Sequence, residues 1–165
     1  MTEALDPDTL DRLRRGIPLR LDRTGHFHLG DEPVTHPRVH AAFLAGLDVS
    51  ETGEPTLHVG NQWCYLTVDD CPLRATGVLG DPTNLQLRLD DGRTLPLDPT
   101  SVWEDDQGLR ATAPSQRSDR PLAVRFNNTA SMDLSAWIED PSGEPSTPTL
   151  VLGAQRFPIR HHPPA

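Results

Sequence analysis

Four histidines, His26, His28, His36 and His40, fall within the stretch GHFHLGDEPVTHPRVH. Imidazole is the commonest transition-metal ligand, and it is the side chain that titrates nearest neutral pH. In an extended strand, His26 and His28 point the same way, about 6.5–7 Å apart at the backbone. His36 and His40 stand four residues apart, which is one face of a helix. A metal centre built here would use His26 and His28 with Glu32 or His36. The competing reading places the rings in solvent. A half-buried strand that turns Phe27 and Leu29 inward sends both neighbouring histidines outward. The alternation favours this second reading, so neither a metal nor another cofactor is expected.

The remaining reactive side chains are sparse. Cys71 sits in Asp69-Asp70-Cys71-Pro72, where negative neighbours make a thiol a poor nucleophile. Cys64 reads as a core thiol. The acidic pairs Asp69-Asp70, Asp90-Asp91 and Asp105-Asp106 all stand where turns are expected, and none has calcium-loop spacing. No nucleophile elbow, phosphate-binding loop or dinucleotide glycine pattern occurs. An enzyme is therefore not favoured, and no catalytic residue is assigned. Trp63 and Tyr65 project together from one strand and are either core or the wall of a groove. With Asp69, Asp70 and Arg74 they make the candidate binding set for a ligand or partner. In the turn itself, Asp69 or Asp70 is expected to accept backbone hydrogen bonds, with Pro72 fixing the geometry.

These residues sit on many short elements. Asp6-Pro7 opens a helix carrying Leu10 and Leu13, with Gly16 as its stop. Ile17, Leu19 and Leu21 alternate as a strand, Asp22 to Gly25 turns the chain, and HFHL returns. Thr35 is expected to cap a helix whose apolar stripe is Val39, Phe43 and Leu47. From Thr56 to Val78 the pattern predicts a hairpin turning at Asp69-Asp70-Cys71-Pro72, which would set Arg74 across from Trp63 and Tyr65. Leu85, Leu87 and Leu89 form a strand that turns at Asp91-Gly92. Val102-Trp103 and LRATA form another hairpin, and Leu122, Val124 and Phe126 a further strand. A second helix carries Met132, Leu134, Trp137 and Ile138. PSGEPSTP is a loop, LVLGAQRFPI a last hairpin, and RHHPPA a tail.

The chain has 165 residues with 17 Pro and 12 Gly, a turn-rich composition for one domain or two small lobes. The expected fold class is α+β: two small lobes of antiparallel β-sheet, each with one short helix. The expected division is an N-terminal helix over 1–15, lobes over 16–80 and 81–160, and a tail over 161–165. The net charge is −9, and all 15 basic residues are arginines, scattered along the chain. A phosphate-binding face needs clustered positive charge, so nucleic acid and anionic membrane surfaces are not expected partners. No apolar run approaches the ~20 residues of a membrane span, and MTEALDPDTLDRLRR lacks the plan of a signal peptide. A cytoplasmic protein with two unpaired thiols is expected.

Pro18-Leu19-Arg20-Leu21-Asp22 with Gly25, then the helix from Thr35 to Leu47, then the acidic pair, small residue and proline of VDDCPL, follow one another in order. Over about residues 16–80 this resembles the uncharacterised bacterial family filed as domain of unknown function 1285. PLAVRF, the helix leading to Trp137 and LVLGAQRFPI match more loosely. The resemblance implies two sheet-and-helix lobes and no established activity. GHFHLGDE is also similar to the opening of a cupin motif, but Val39 stands where that motif needs glycine. Three functions follow as expectations. The first is a non-catalytic binding or regulatory module of signalling type, taking an unknown small ligand or protein. The alternatives are a metal-dependent enzyme using the first-lobe histidines and a protein–protein adaptor working through exposed strand edges.

Overall fold

Asp6 caps the first helix as its sequence demands, accepting the Thr9 amide at 3.0 Å. The structure, a computed structural model, describes residues 4–140 and 147–161. The fold is α+β, with mostly antiparallel pairing. The chain divides into two units: the residues up to Pro72 with Pro114–Leu122, and Leu73–Ala113 with the chain from Ala123 on. No helix among the described residues is long and apolar enough to cross a membrane.

The first unit begins with α1 (Pro7–Gly16), β1 (Leu19–Leu21), β2 (Phe27–Leu29) and β3 (Glu32–Pro33). It continues through α2 (Pro37–Ala45), β4 (Leu47–Val49), β5 (Pro55–Val59), β6 (Gln62–Tyr65) and β7 (Thr67–Val68). One sheet runs β3-β2-β1-β7 and a second β4-β5-β6. The β1–β2 turn is held by Asp22, whose Oδ1 accepts the amides of Thr24 at 2.9 Å and His26 at 3.0 Å. Leu21, Phe27 and Leu47 lie at the centre of this unit, with Leu44 and Leu57 beside them.

Several expectations need correction here. The cap of α2 is His36, not Thr35: its Nδ1 accepts the Arg38 amide at 3.2 Å. Pro37 is the reason, because proline drives the preceding residue into extended geometry and sets the helix start at itself. The inward face of α2 is His40, Phe43 and Leu44, while Val39 is exposed and Leu47 already belongs to β4. Leu13 and Leu29 also face solvent. The largest correction concerns the hairpin. β6 pairs with β5, closing at Gly60-Asn61 with Gly60 at φ +60, and β7 pairs in parallel with β1. A two-residue glycine turn matches strand twist, so it closes the hairpin before Asp69 is reached. Asp69 to Pro72 is therefore not a hairpin turn, and Arg74 does not face Trp63 across one.

The second unit holds β8 (Leu73–Asp81), β9 (Asn84–Leu89), β10 (Thr94–Pro96), β11 (Trp103–Asp105), β12 (Gly108–Pro114) and β13 (Pro121–Phe126). α3 (Asn128–Ser135), β14 (Ile138–Glu139), β15 (Thr149–Leu152) and β16 (Gln155–Pro158) follow. Its main sheet is ordered β10-β9-β8-β13-β12-β11, with β8 and β13 parallel, and β14-β15-β16 forms a small one. The hairpins expected at Asp91-Gly92, after Trp103 and at Gly153 are all present. α3 starts from Asn127, whose side chain accepts the Ala130 amide. It buries Ala130 and Leu134, whereas Met132 points to solvent and Ile138 has left the helix for β14. The pairing of β8 with β9 slips at Ala75/Gly77, and Asp133 of α3 accepts the nearby Val78 amide at 3.0 Å. Arg125 forks onto Asp105 with two 2.8 Å bonds, and Arg74 meets Asp90 at 2.8 Å. Most of the expected loop PSGEPSTP and the end of the tail lie outside the described residues.

Gly46 is where α2 and β5 approach most closely. A Cβ there would stand 1.9 Å from the His58 carbonyl oxygen, which is backbone and cannot swing aside. At Gly16 nothing lies within 4 Å of the same added atom. Gly46→Ala should cost about 1–3 kcal/mol of unfolding free energy, as overpacking does. Gly16→Ala should stay within about 0.5 kcal/mol of the parent. Urea denaturation of the two variants checks both.

Candidate functional site

The first unit contains a groove of about 240 Å³ with an almost wholly apolar wall. Ile17 and Leu19 come from the start of β1, and Leu29 and Val34 from either side of β3. Phe43 comes from α2, and Leu57, Val59, Trp63 and Cys64 from the β5–β6 hairpin. Ile17 is 43% exposed, Leu29 51% and Val59 44%. Scattered exposed aliphatics need no explanation, but three lining one depression form a patch. Burial in this wall also pushes the Cys64 thiol up from its ordinary range.

Trp63 belongs both to this wall and to a polar cluster. The His58 ring stacks on it, with centroids 5.8 Å apart and planes at 17°, and the Tyr65 ring meets it edge-on at 5.3 Å. The guanidinium of Arg14 lies 4.0 Å over the Trp63 ring, and that of Arg15 lies 4.0 Å over Tyr65. Asp11 accepts both Arg15, at 2.8 Å, and the Tyr65 hydroxyl, at 2.9 Å. These bonds hold the Asp11 carboxyl below its usual range and push the Tyr65 phenol up. α1 buries no residue of its own. It is attached through these ring and ion contacts to β6 and the ion pair of Arg15 with Glu54.

Behind His58 lies Asp48, a carboxylate only 7% exposed. Ser118 donates to its Oδ1 at 2.5 Å, and the Val49 amide donates at 2.8 Å. Burial alone would raise the Asp48 pKa, but these bonds outweigh it and the net shift is downward. His58 is pushed below its usual value, first by burial and then by the charge of Arg117, with Asp48 opposing. Serine, aspartate and histidine together suggest a hydrolytic triad, but the connections are wrong for one. Ser118 donates to the carboxylate instead of to the imidazole, and His58 Nε2 stands 3.9 Å from Asp48 Oδ2. A nucleophile activated by its base requires a serine-to-histidine bond. This cluster buries a charge; it does not make a nucleophile.

Of the residues proposed from sequence, the structure puts Trp63 in the groove wall and sets Tyr65 edge-on against it. Asp69 lies on the edge beside β1, where its carboxylate pairs with Arg20 at 2.6 Å. Its amide donates to the Leu21 carbonyl at 3.0 Å. Asp70 is half-buried next to it. Arg74 belongs to the second unit, buried against Asp90. The histidines have separate tasks. His28 Nε2 lies 2.7 Å from Asp22, His26 Nδ1 2.7 Å from the Thr24 hydroxyl, and His40 donates to the Gly25 carbonyl at 2.9 Å. Among the described residues, no three metal-binding side chains converge. Sequence reading missed His58, Asp48, Arg14 and Ser118. The spacing of Arg14-Arg15 against Trp63-x-Tyr65 was the available signal, since two adjacent cations can meet two aromatics of one strand face.

Comparison with known proteins gives fold likeness alone. A DUF1285 family protein from Silicibacter pomeroyi has a similar structure, at TM-score 0.62 and 16% identity, over 96% of this chain and 89% of that one. A second, from Shewanella baltica, aligns at TM-score 0.53 and 16% identity, over 68% of this chain and 86% of that one. The chain thus resembles the DUF1285 family, as its first half implied. No protein-family model matches the sequence, and no curated protein matches it.

Asp22 makes the β1–β2 turn sensitive to acid. Partial burial works against its charge, but His28, Thr24 and the His26 amide outweigh burial and hold the carboxyl far below its ordinary 3.8. A carboxyl depressed in the folded state adds stability above its ordinary pKa and loses it as the pH falls toward the folded value. Asp22→Asn should therefore lower the urea midpoint at neutral pH, and the gap to the parent should narrow below about pH 4. A gap that stays constant into strong acid would show that the charge contributes nothing.

Proposed function

We propose that this chain is a non-catalytic binding module, and that its first unit takes a small molecule with an apolar body into the groove walled by Ile17, Leu29, Val59 and Trp63. The observation that carries the reading is the grouping of three exposed aliphatics around one depression whose wall also includes the buried Leu19, Leu57 and Cys64 and the half-buried Val34, Phe43 and Trp63. Ligand sites are mostly apolar concavities oriented by few polar groups. At about 240 Å³ this one suits a ligand smaller than a typical drug. Trp63 keeps the anchoring role expected of it, with Tyr65 supporting its ring edge-on, whereas Asp69, Asp70 and Arg74 are not needed in it. Occupancy of the groove would be the regulatory signal. Cys64 and Cys71 are not joined in a disulfide, which suits a reducing compartment such as the cytoplasm.

Calorimetric titration with short-chain alcohols and alkyl acids tests the reading. Val59→Asp places a charge at an exposed position in the wall. It should abolish binding and leave the unfolding free energy from urea denaturation within about 0.5 kcal/mol of the parent, as for other surface changes. Unchanged binding in this variant would remove the groove from consideration.

A further inference from the structure

The wall of the groove says what the body of the ligand is; the charges beside Trp63 say what its head is. We propose that the molecule taken by the groove is a medium-chain carboxylate whose head is held by Arg14. The inference rests on the groove being a binding site.

Arg14 is the first observation. The central carbon of its guanidinium lies over the Trp63 ring, 4.0 Å from the ring centroid, and Trp63 lines the groove. Stacking engages the face of a guanidinium and leaves its N–H donors, which lie in the plane, available. Among the described residues, no hydrogen bond or ion pair engages the Arg14 guanidinium. The cation is therefore positioned by the ring and uncommitted at its edge. A single planar fork matches the two oxygens of a carboxylate.

The neighbouring charges are the second observation. The nearby carboxylates have other hydrogen-bond partners, and Asp11 feels Arg14 only through its charge. Asp11 serves Arg15 and Tyr65, Glu54 serves Arg15, and Asp48 serves Ser118 and the Val49 amide. In a chain of net charge −9, a guanidinium with no ion pair of its own, stacked on a residue of an apolar groove, forms a local reversal of sign. Such a reversal favours an anion over a neutral or cationic molecule of the same length.

Octanoate, octan-1-ol and octylamine share one chain and differ in the head. Isothermal titration of the full chain with each should show octanoate binding about tenfold or more tightly than octan-1-ol, as a charge-assisted pair allows. Octylamine should bind weakest, and added salt should weaken only octanoate. Arg14→Gln should bring octanoate to the octan-1-ol level without changing octan-1-ol, and Arg14→Lys should restore part of the preference. Equal affinity for octanoate and octan-1-ol overturns the carboxylate assignment and leaves the groove standing. No binding of any of the three at millimolar concentration overturns the groove itself. Equal loss for octanoate and octan-1-ol in Arg14→Gln would mean that Arg14 acts through packing, and would also overturn the assignment.

Discussion

A strand edge must have its backbone bonds completed, and in the first unit that requirement falls on β4. β4 is the outer strand of its sheet, and its free side is met by the segment 114–122. Ser115 donates to the Leu47 carbonyl, Ser118 to the Asp48 carboxylate, and Arg120 to the Val49 carbonyl. Three successive residues of β4 are thus satisfied by side chains from one loop, where another protein would add a strand. β4 in turn sets the register of β5, with Leu47 opposite Leu57. β5 sets β6, with His58 opposite Trp63. The position of the tryptophan beside the groove is therefore traceable, bond by bond, to two serines and an arginine more than fifty residues away in sequence.

Much of this architecture was legible from the sequence, and the parts that were not share a cause. Strands with clean alternation and a glycine turn, such as Leu85–Leu87–Leu89 before Asp91-Gly92, are fixed by local chemistry. The β5–β6 hairpin was misread because its true turn, Gly60-Asn61, competes with a more conspicuous acid-and-proline cluster nine residues on. The inward face of α2 was misread because His40 takes a core position usually given to an aliphatic. Its ring packs edge-on against Phe27 and donates to a backbone carbonyl, so it is satisfied where it lies. The buried Asp48 could not be found from neighbours in sequence, since its serine partner is supplied by another part of the chain. The candidate site divides in the same way. Trp63 and Tyr65 were visible as a pair on one strand face, while Arg14 and His58 acquire meaning only once α1 and β5 are laid against that strand.

The absence of lysine has a structural counterpart. A planar guanidinium can stack on an aromatic face and still bond in its plane, which an ammonium cannot do. The chain uses this three times: Arg14 on Trp63, Arg15 on Tyr65 and, in the second unit, Arg110 on Trp103. Arg15 shows both uses at once, lying over a ring while bonded to Asp11 and Glu54. Each tyrosine or tryptophan so covered is kept half-buried without an aliphatic lid.

α1 buries no residue of its own, yet it carries the cation that lies over Trp63 of the groove wall. Stacked rings and exposed ion pairs are weak individually, and they loosen in salt. The helix therefore belongs to the least stable part of the unit, able to lift away while the sheets beneath stay closed. Affinity at such a site is the product of two quantities, the grip of the docked helix and the fraction of time it is docked. A molecule bridging the groove and Arg14 would raise that fraction, so the same helix that holds the ligand would be held down by it. Anything that binds the outer face of α1 would then read groove occupancy from a distance, with no movement required of the core.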